Sequence, residues 1–68
     1  MNKHKIQTEY IKLDQFLKWV GAVGQGSDAK MLIQEGLVKV NDEVEERRGK
    51  KLRSGDIVEV SGEQYEIE

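Results

Sequence analysis

A chain of 68 residues with a formal net charge of −2 and no cysteine makes one domain without disulfide or thiolate-metal reinforcement. Its core is marginal, because a chain this short buries only about 60% of its unfolded surface. Charged residues are 35% of the chain, yet the aliphatic residues are well patterned, which argues for a folded domain rather than disorder.

Met1-Asn2-Lys3-His4-Lys5 is basic, but no apolar stretch follows it, so it does not read as a secretory signal. No apolar run approaches the ~20 residues of a membrane span. His4 is expected in a frayed terminus. Ile6 and Tyr10 suit an extended segment that pairs with the C-terminal strand. Leu13, Phe16, Leu17 and Val20 fall at i, i+3, i+4 and i+7, one face of a helix. Gly21 is a natural stop, since it takes the left-handed conformation that ends helices. The first helix is therefore expected from Lys12 or Leu13 to Val20. Gly21-Ala22-Val23-Gly24-Gln25-Gly26 is a tight link whose glycines are too irregular for a dinucleotide fingerprint.

Ser27 is expected to cap a second helix, with a start as early as Gln25 left open by the link, and Asp28 suits the positive end of its dipole. Ala29, Leu32 and Ile33 form its buried stripe, and Gly36 ends it as the residue after the C-cap. Neither helix is long enough to stand alone, so they must pack together and on a sheet. Leu37 to Asn41 is the first strand. Asn41-Asp42 tolerates positive φ and makes a two-residue hairpin turn between Val40 and Glu43. Val44 lies on the returning strand, and Leu52 re-enters the core. Arg53-Ser54-Gly55-Asp56 is a turn before the strand Ile57–Val60. Ser61-Gly62-Glu63-Gln64 turns again into Tyr65-Glu66-Ile67. These runs predict an α+β fold: two short packed helices against a small, bent, mostly antiparallel sheet.

The charges are segregated. Residues 42–46 carry −4, residues 47–53 carry +5 and residues 54–68 carry −5. The negative total argues against binding nucleic acid by bulk charge, but the dense basic block has the form of an interaction segment; a solvated loop is the alternative. Arg47, Arg48, Lys50 and Lys51, together with Lys12, Lys30 and Lys39, are expected to form one cationic face. Arginine adds bidentate phosphate contacts that lysine cannot make. Trp19 borders the buried stripe of the first helix, where it either fills the core or offers a flat face to a base or a cation. Catalysis is not expected: the one histidine is terminal, the serines have no histidine partner and no paired-acid motif stands out. No cofactor, metal site or small-molecule substrate is implied.

Three segments carry a family resemblance. They are Lys12-Leu13-Asp14-Gln15-Phe16-Leu17, then Ala29-Lys30-Met31-Leu32-Ile33-Gln34-Glu35-Gly36-Leu37-Val38-Lys39-Val40-Asn41, then Gly55-Asp56-Ile57-Val58. In order and spacing they resemble the S4-type RNA-binding domain, also called the alpha-L motif. The short stand-alone form is similar to the small bacterial YaaA/YbcJ-like proteins. The resemblance implies one S4-like domain over residues 1–68, with a motif core at about 12–60 and residues 1–11 as an N-terminal extension. It further implies non-catalytic binding of structured RNA, ribosomal or transfer RNA, by a cytoplasmic monomer associated with a ribosomal subunit or its precursor. By position, Lys12 takes the basic site before Leu-Asp and Lys30 takes the arginine site after alanine, while Lys39 and Asn41 sit on the hairpin. Where many members carry Ser-Arg this chain has Gln25-Gly26, so one usual phosphate contact is missing. The Arg47–Lys51 block is expected to compensate. The alternative function is a protein-interaction adaptor whose basic block docks an acidic partner.

Overall fold

The computed structural model describes residues 2–68. In chain order the elements are β1 (Asn2–His4), β2 (Ile11–Lys12), α1 (Leu13–Trp19), α2 (Gly26–Gln34), β3 (Val38–Val40), β4 (Glu43–Val44), β5 (Lys51–Leu52), β6 (Ile57–Val60) and β7 (Glu63–Ile67). A five-stranded sheet runs β1-β7-β6-β3-β4, and β2 and β5 form a separate two-stranded ribbon. The α+β architecture expected from the sequence is present, with β1–β7 as its parallel pair.

The helix boundaries follow from glycine chemistry. At the end of α1, Gly21 has φ +80°; its N–H donates to the Lys18 carbonyl and the next N–H, of Ala22, to the Leu17 carbonyl. Gly36, at φ +76°, repeats the pattern after α2: Gly36 N–H donates to Ile33 and Leu37 N–H to Leu32. This pair of hydrogen bonds satisfies carbonyls that a helix end leaves free, and it needs a left-handed residue. It also draws Leu37 out of the expected strand: Leu37 belongs to the helix stop and is 54% exposed. At the other end of α2, Gln25 rather than Ser27 holds the N-cap position, and no side chain caps it. Serine is therefore inside the helix, because the link delivers the chain two residues earlier.

Leu13, Phe16, Leu17, Ala29 and Ile33 from the helices meet Val38, Val40, Val58, Val60 and Ile67 from the sheet and Leu52 from the ribbon. Each large side chain so buried contributes on the order of 1.5–3 kcal/mol. Leu32, expected in the buried stripe, is only partly buried, because Ala29 and Ile33 take the inward direction. The turn after β6 is tighter than expected. Ser61 (φ 53°) and Gly62 (φ 79°) alone reverse the chain, so Glu63 already pairs with Val60.

Two expectations about the N-terminus are corrected. Asn2, Lys3 and His4, not Ile6 and Tyr10, pair with the C-terminal strand, in register with Tyr65, Glu66 and Ile67. His4 is not frayed: its ring lies 5.5 Å from Trp19, 6.0 Å from Tyr65 and 6.1 Å from Phe16. Pattern alone could not place it, since a three-residue strand has almost no period, and its aromatic surroundings come from α1 and from the C-terminal strand.

Candidate functional site

The basic block is anchored by its backbone. Leu13 N–H donates to the Lys50 carbonyl (2.8 Å) and Asp14 N–H to the Arg48 carbonyl (3.1 Å). α1 has no side-chain cap, so the loop's carbonyls satisfy the amides that the first turn leaves unpaired. Immediately after this loop, β5 pairs with β2 in the register Ile11↔Leu52 and Lys12↔Lys51. Partners directly opposite share a face. Leu52 is fully buried and Ile11 packs on the core, so Lys12 and Lys51 stand side by side on the outer face.

Tyr10 completes the cluster. Lys51 Nζ lies 4.9 Å from its ring centroid and the Arg53 guanidinium carbon 5.9 Å. Cations over an aromatic face are attracted by its quadrupole. Lys12, Arg48, Lys51 and Arg53 are exposed and Lys50 is half-buried. None of the five has an ion-pair partner among the described residues, where Arg47–Glu45 is the only such pair. The loop also forms an open depression of 460 Å³ lined by Arg47, Gly49, Lys50, Lys51 and Arg53. Tyr10 and Arg53 are not marked as site residues by the sequence, where Tyr10 suits an extended segment pairing with the C-terminal strand and Arg53 belongs to a turn. Their meeting depends on a ribbon of two pairs joining residues some forty positions apart, for which no periodic signal exists.

Arg47 is held by Glu45: its Nε donates to Oε2 at 2.9 Å and its Nη2 to Oε1 at 3.3 Å. The hydrogen bond from Arg47 holds the Glu45 carboxyl below its ordinary pKa, against a smaller opposing effect of burial. Lys39 alternates with the buried Val38 and Val40, so it projects from the sheet face away from the helices. There its register neighbour on β6 is Glu59. Lys30 is exposed on α2.

The Asn41 side chain is occupied. Its Nδ2 donates to Asp56 Oδ1 at 3.0 Å, and its Oδ1 accepts the Ile57 N–H at 2.9 Å. Asp56 Oδ2 in turn accepts the Arg53 N–H at 2.8 Å. The Val-Asn and Gly-Asp segments are thus two halves of one clamp, which fixes the hairpin to the turn from which Arg53 projects. Trp19 divides between its two readings. It packs edge-on against Phe16, centroids 6.0 Å apart, and is still 51% exposed.

No polar or charged side chain is buried among the described residues, and no three His, Asp or Glu side chains gather there as metal ligands. Among the described residues, no helix is long and apolar enough to cross a membrane. What the surface offers is fixed cations beside exposed aromatic rings.

Comparison with known proteins identifies the family. The family model of the S4 domain matches residues 4–68, from within β1 to the last residue. The probable ribosome maturation protein RlbA of Bacillus subtilis (strain 168) is 48% identical over 61 residues, which span 90% of this chain and 86% of the relative. Among solved structures, YbcJ from E. coli, described as having an alfaL motif involved in RNA binding, superimposes with a TM-score of 0.75 at 31% identity, covering 98% of this chain and 86% of that one. The 30S ribosomal protein S4e from Thermoplasma acidophilum shares the fold, with a TM-score of 0.66 at 20% identity over 88% of this chain and 32% of its own. By sequence and by fold alike, the chain belongs to the S4 domain family.

Proposed function

We propose that this protein is a non-catalytic RNA-binding module that grips the phosphate backbone of structured RNA, ribosomal RNA above all and transfer RNA as the other candidate. The centre of the interface is the group Lys12, Arg48, Lys50, Lys51 and Arg53 at the start of α1, with Arg47 at its margin and the exposed Lys30 of α2 as a further candidate contact. The observation that carries this reading is the Lys12–Lys51 pair. Like charges directly opposite on a ladder destabilise it, and no described carboxylate neutralises these two. The Tyr10 ring beside Lys51 offsets only part of that repulsion, whereas a polyanion would neutralise both charges. The likeness to YbcJ and RlbA supports the same reading and points to a ribosomal subunit or its precursor as the partner. The protein acts as a cytoplasmic monomer that recognises RNA shape and backbone more than base sequence.

The test is a salt titration of binding to a structured ribosomal RNA fragment. Each phosphate contact adds about 0.7–0.9 to the log–log salt slope. Lys12→Ala combined with Lys51→Ala is expected to lower the slope by roughly 1.4–1.8 while leaving thermal stability nearly unchanged, since the repulsion removed is offset by the lost contact of Lys51 with the Tyr10 ring. An unchanged slope in the folded double variant removes the ribbon from the interface. Co-sedimentation with ribosomal subunits that resists nuclease, together with tight binding of an acidic peptide, would favour the adaptor reading instead.

A further inference from the structure

The depression at Trp19 has no part in the backbone contacts just described. It measures 320 Å³ and is walled by Lys5, Ile6, Gln7, Thr8, Ile11 and Trp19. That is the small end of the range for ligand pockets, roughly 300–1,000 Å³, and suits one flat ring with its sugar rather than the end of a paired helix. Every other aromatic or aliphatic contribution of α1 to the core is fully buried, but Trp19 leaves 51% of its surface in water. Its ring is nevertheless fixed in place. His4 meets it at 5.5 Å and 63°, Phe16 at 6.0 Å and 67°. A ring packed against two others and still half open to water is preorganised for stacking, because little rotamer freedom remains to be lost.

The opposite wall is polar and cationic. Thr8 is itself held, its hydroxyl donating to the Tyr10 carbonyl at 2.8 Å, and Lys5 and Gln7 are exposed. A second depression of 510 Å³ shares Thr8 and Ile11 with the first and leads to Tyr10 and Lys12. Glu9 is the carboxylate among its lining residues. The surface is therefore continuous from the open indole to the Lys12–Lys51 pair.

We infer that Trp19 and the segment Lys5–Thr8 form a subsite for one unpaired nucleobase, whose backbone continues past Thr8 and Ile11 to Lys12; this rests on the RNA-binding reading above. The base stacks on the exposed indole, Gln7 and Thr8 face its polar edge, and the Lys5 ammonium neutralises the adjoining phosphate. Stacking on an aromatic side chain tolerates any base, since every base has a π-face. The chain then prefers a junction between paired and unpaired RNA: the duplex backbone on the basic ribbon, the first free base on Trp19.

The test uses the full chain and two RNAs, a blunt duplex and the same duplex with a short single-stranded uridine tail. The tail is expected to tighten wild-type binding roughly 5- to 150-fold, the effect of one base–aromatic stack. It should also quench the fluorescence of Trp19, the chain's single tryptophan. Trp19→Ala should erase the gain from the tail and leave duplex affinity and salt slope unchanged, and Trp19→Phe should keep part of the gain. Circular dichroism checks folding. If Trp19→Ala does not fold, Trp19→Phe and Lys5→Glu carry the test, each expected to reduce the gain from the tail. Equal binding of the two RNAs by the wild type without quenching, or a gain that survives in the variants, overturns the subsite and leaves RNA binding standing. Failure of the wild type to bind either RNA overturns both.

Discussion

Both ends of the Asn41 amide are engaged, one by the Asp56 carboxylate and one by the Ile57 N–H, and its backbone stands at φ 52°. Alanine at this position loses two hydrogen bonds, each contributing about 0.5–1.5 kcal/mol net. It also meets the left-handed conformation that asparagine tolerates and alanine resists. Asn41→Ala is therefore expected to lower the unfolding free energy in urea denaturation by about 1–3 kcal/mol from the lost bonds alone, and by more once the backbone penalty is added, with duplex RNA affinity per folded molecule unchanged. Affinity lost without stability lost would make Asn41 an RNA contact. Glu45 is a second residue whose role is set by one neighbour. The Arg47 hydrogen bond depresses its pKa, so its carboxylate form is favoured by folding. The stability this contributes is fully present above the unfolded glutamate value of about 4.3 and is lost as pH falls through the lower folded value. A carbon-detected NMR titration should find the Glu45 midpoint below the ordinary glutamate value, and Arg47→Ala should bring it back up. A Glu45 midpoint indifferent to Arg47→Ala would mean the pair does not persist in solution.

The two helices differ in how tightly they hold the core. α1 buries Leu13, Phe16 and Leu17 completely, whereas Leu32 of α2 is only partly buried. Leu17→Ala is expected to cost about 2–5 kcal/mol, enough to unfold much of a domain this small, and Leu32→Ala measurably less. Chemical denaturation that ranks them the other way would contradict the packing described. Gly36→Ala tests the helix stop. The nearest atom to an added Cβ would be Val44 Cγ1 at 3.7 Å, an ordinary contact, so the penalty is conformational, about 1–2 kcal/mol for one left-handed residue; Gly36→Asn should recover part of it. These elements were legible in the sequence because each carries its own signal. Leu13, Phe16, Leu17 and Val20 announce α1 by period, Gly21 and Gly36 announce its end and that of α2, and Asn41-Asp42 announces the hairpin. β1 and the β2–β5 ribbon were not legible. Their two or three residues have no period, and their partners lie across the chain. The candidate site divides the same way. Lys12 and Lys51 were visible as cations, but their position side by side was not, and neither was the convergence of Tyr10 and Arg53 with them.

At the scale of the molecule, a net charge of −2 and an isoelectric point near 5.4 predict repulsion from a polyanion, while the local geometry predicts attraction. The two are reconciled by where the charges sit. The outer face of the sheet carries Glu59 beside Lys39 and Glu66 beside Lys3, so opposite charges alternate there. The cations at the start of α1 have no such partners. The molecule measures 27 × 21 × 18 Å, and at physiological salt the Debye length is only about 8 Å. Most of the negative surface is therefore screened from a phosphate bound at the ribbon, and a contact is governed by the charges it touches. Counterion release counts the phosphates neutralised at the interface rather than the protein's total charge. Glu59→Gln combined with Glu66→Gln removes two negative charges and brings the formal total from −2 to zero. We expect it to leave the salt slope of RNA binding unchanged, in contrast to the fall produced by Lys12→Ala with Lys51→Ala. The measurement is the same titration run on the wild type and both double variants. A slope that follows net charge, steepening in the sheet-face variant, would show that the protein binds as a diffuse polyelectrolyte. In that case the Lys12–Lys51 ribbon would not be the centre of the interface.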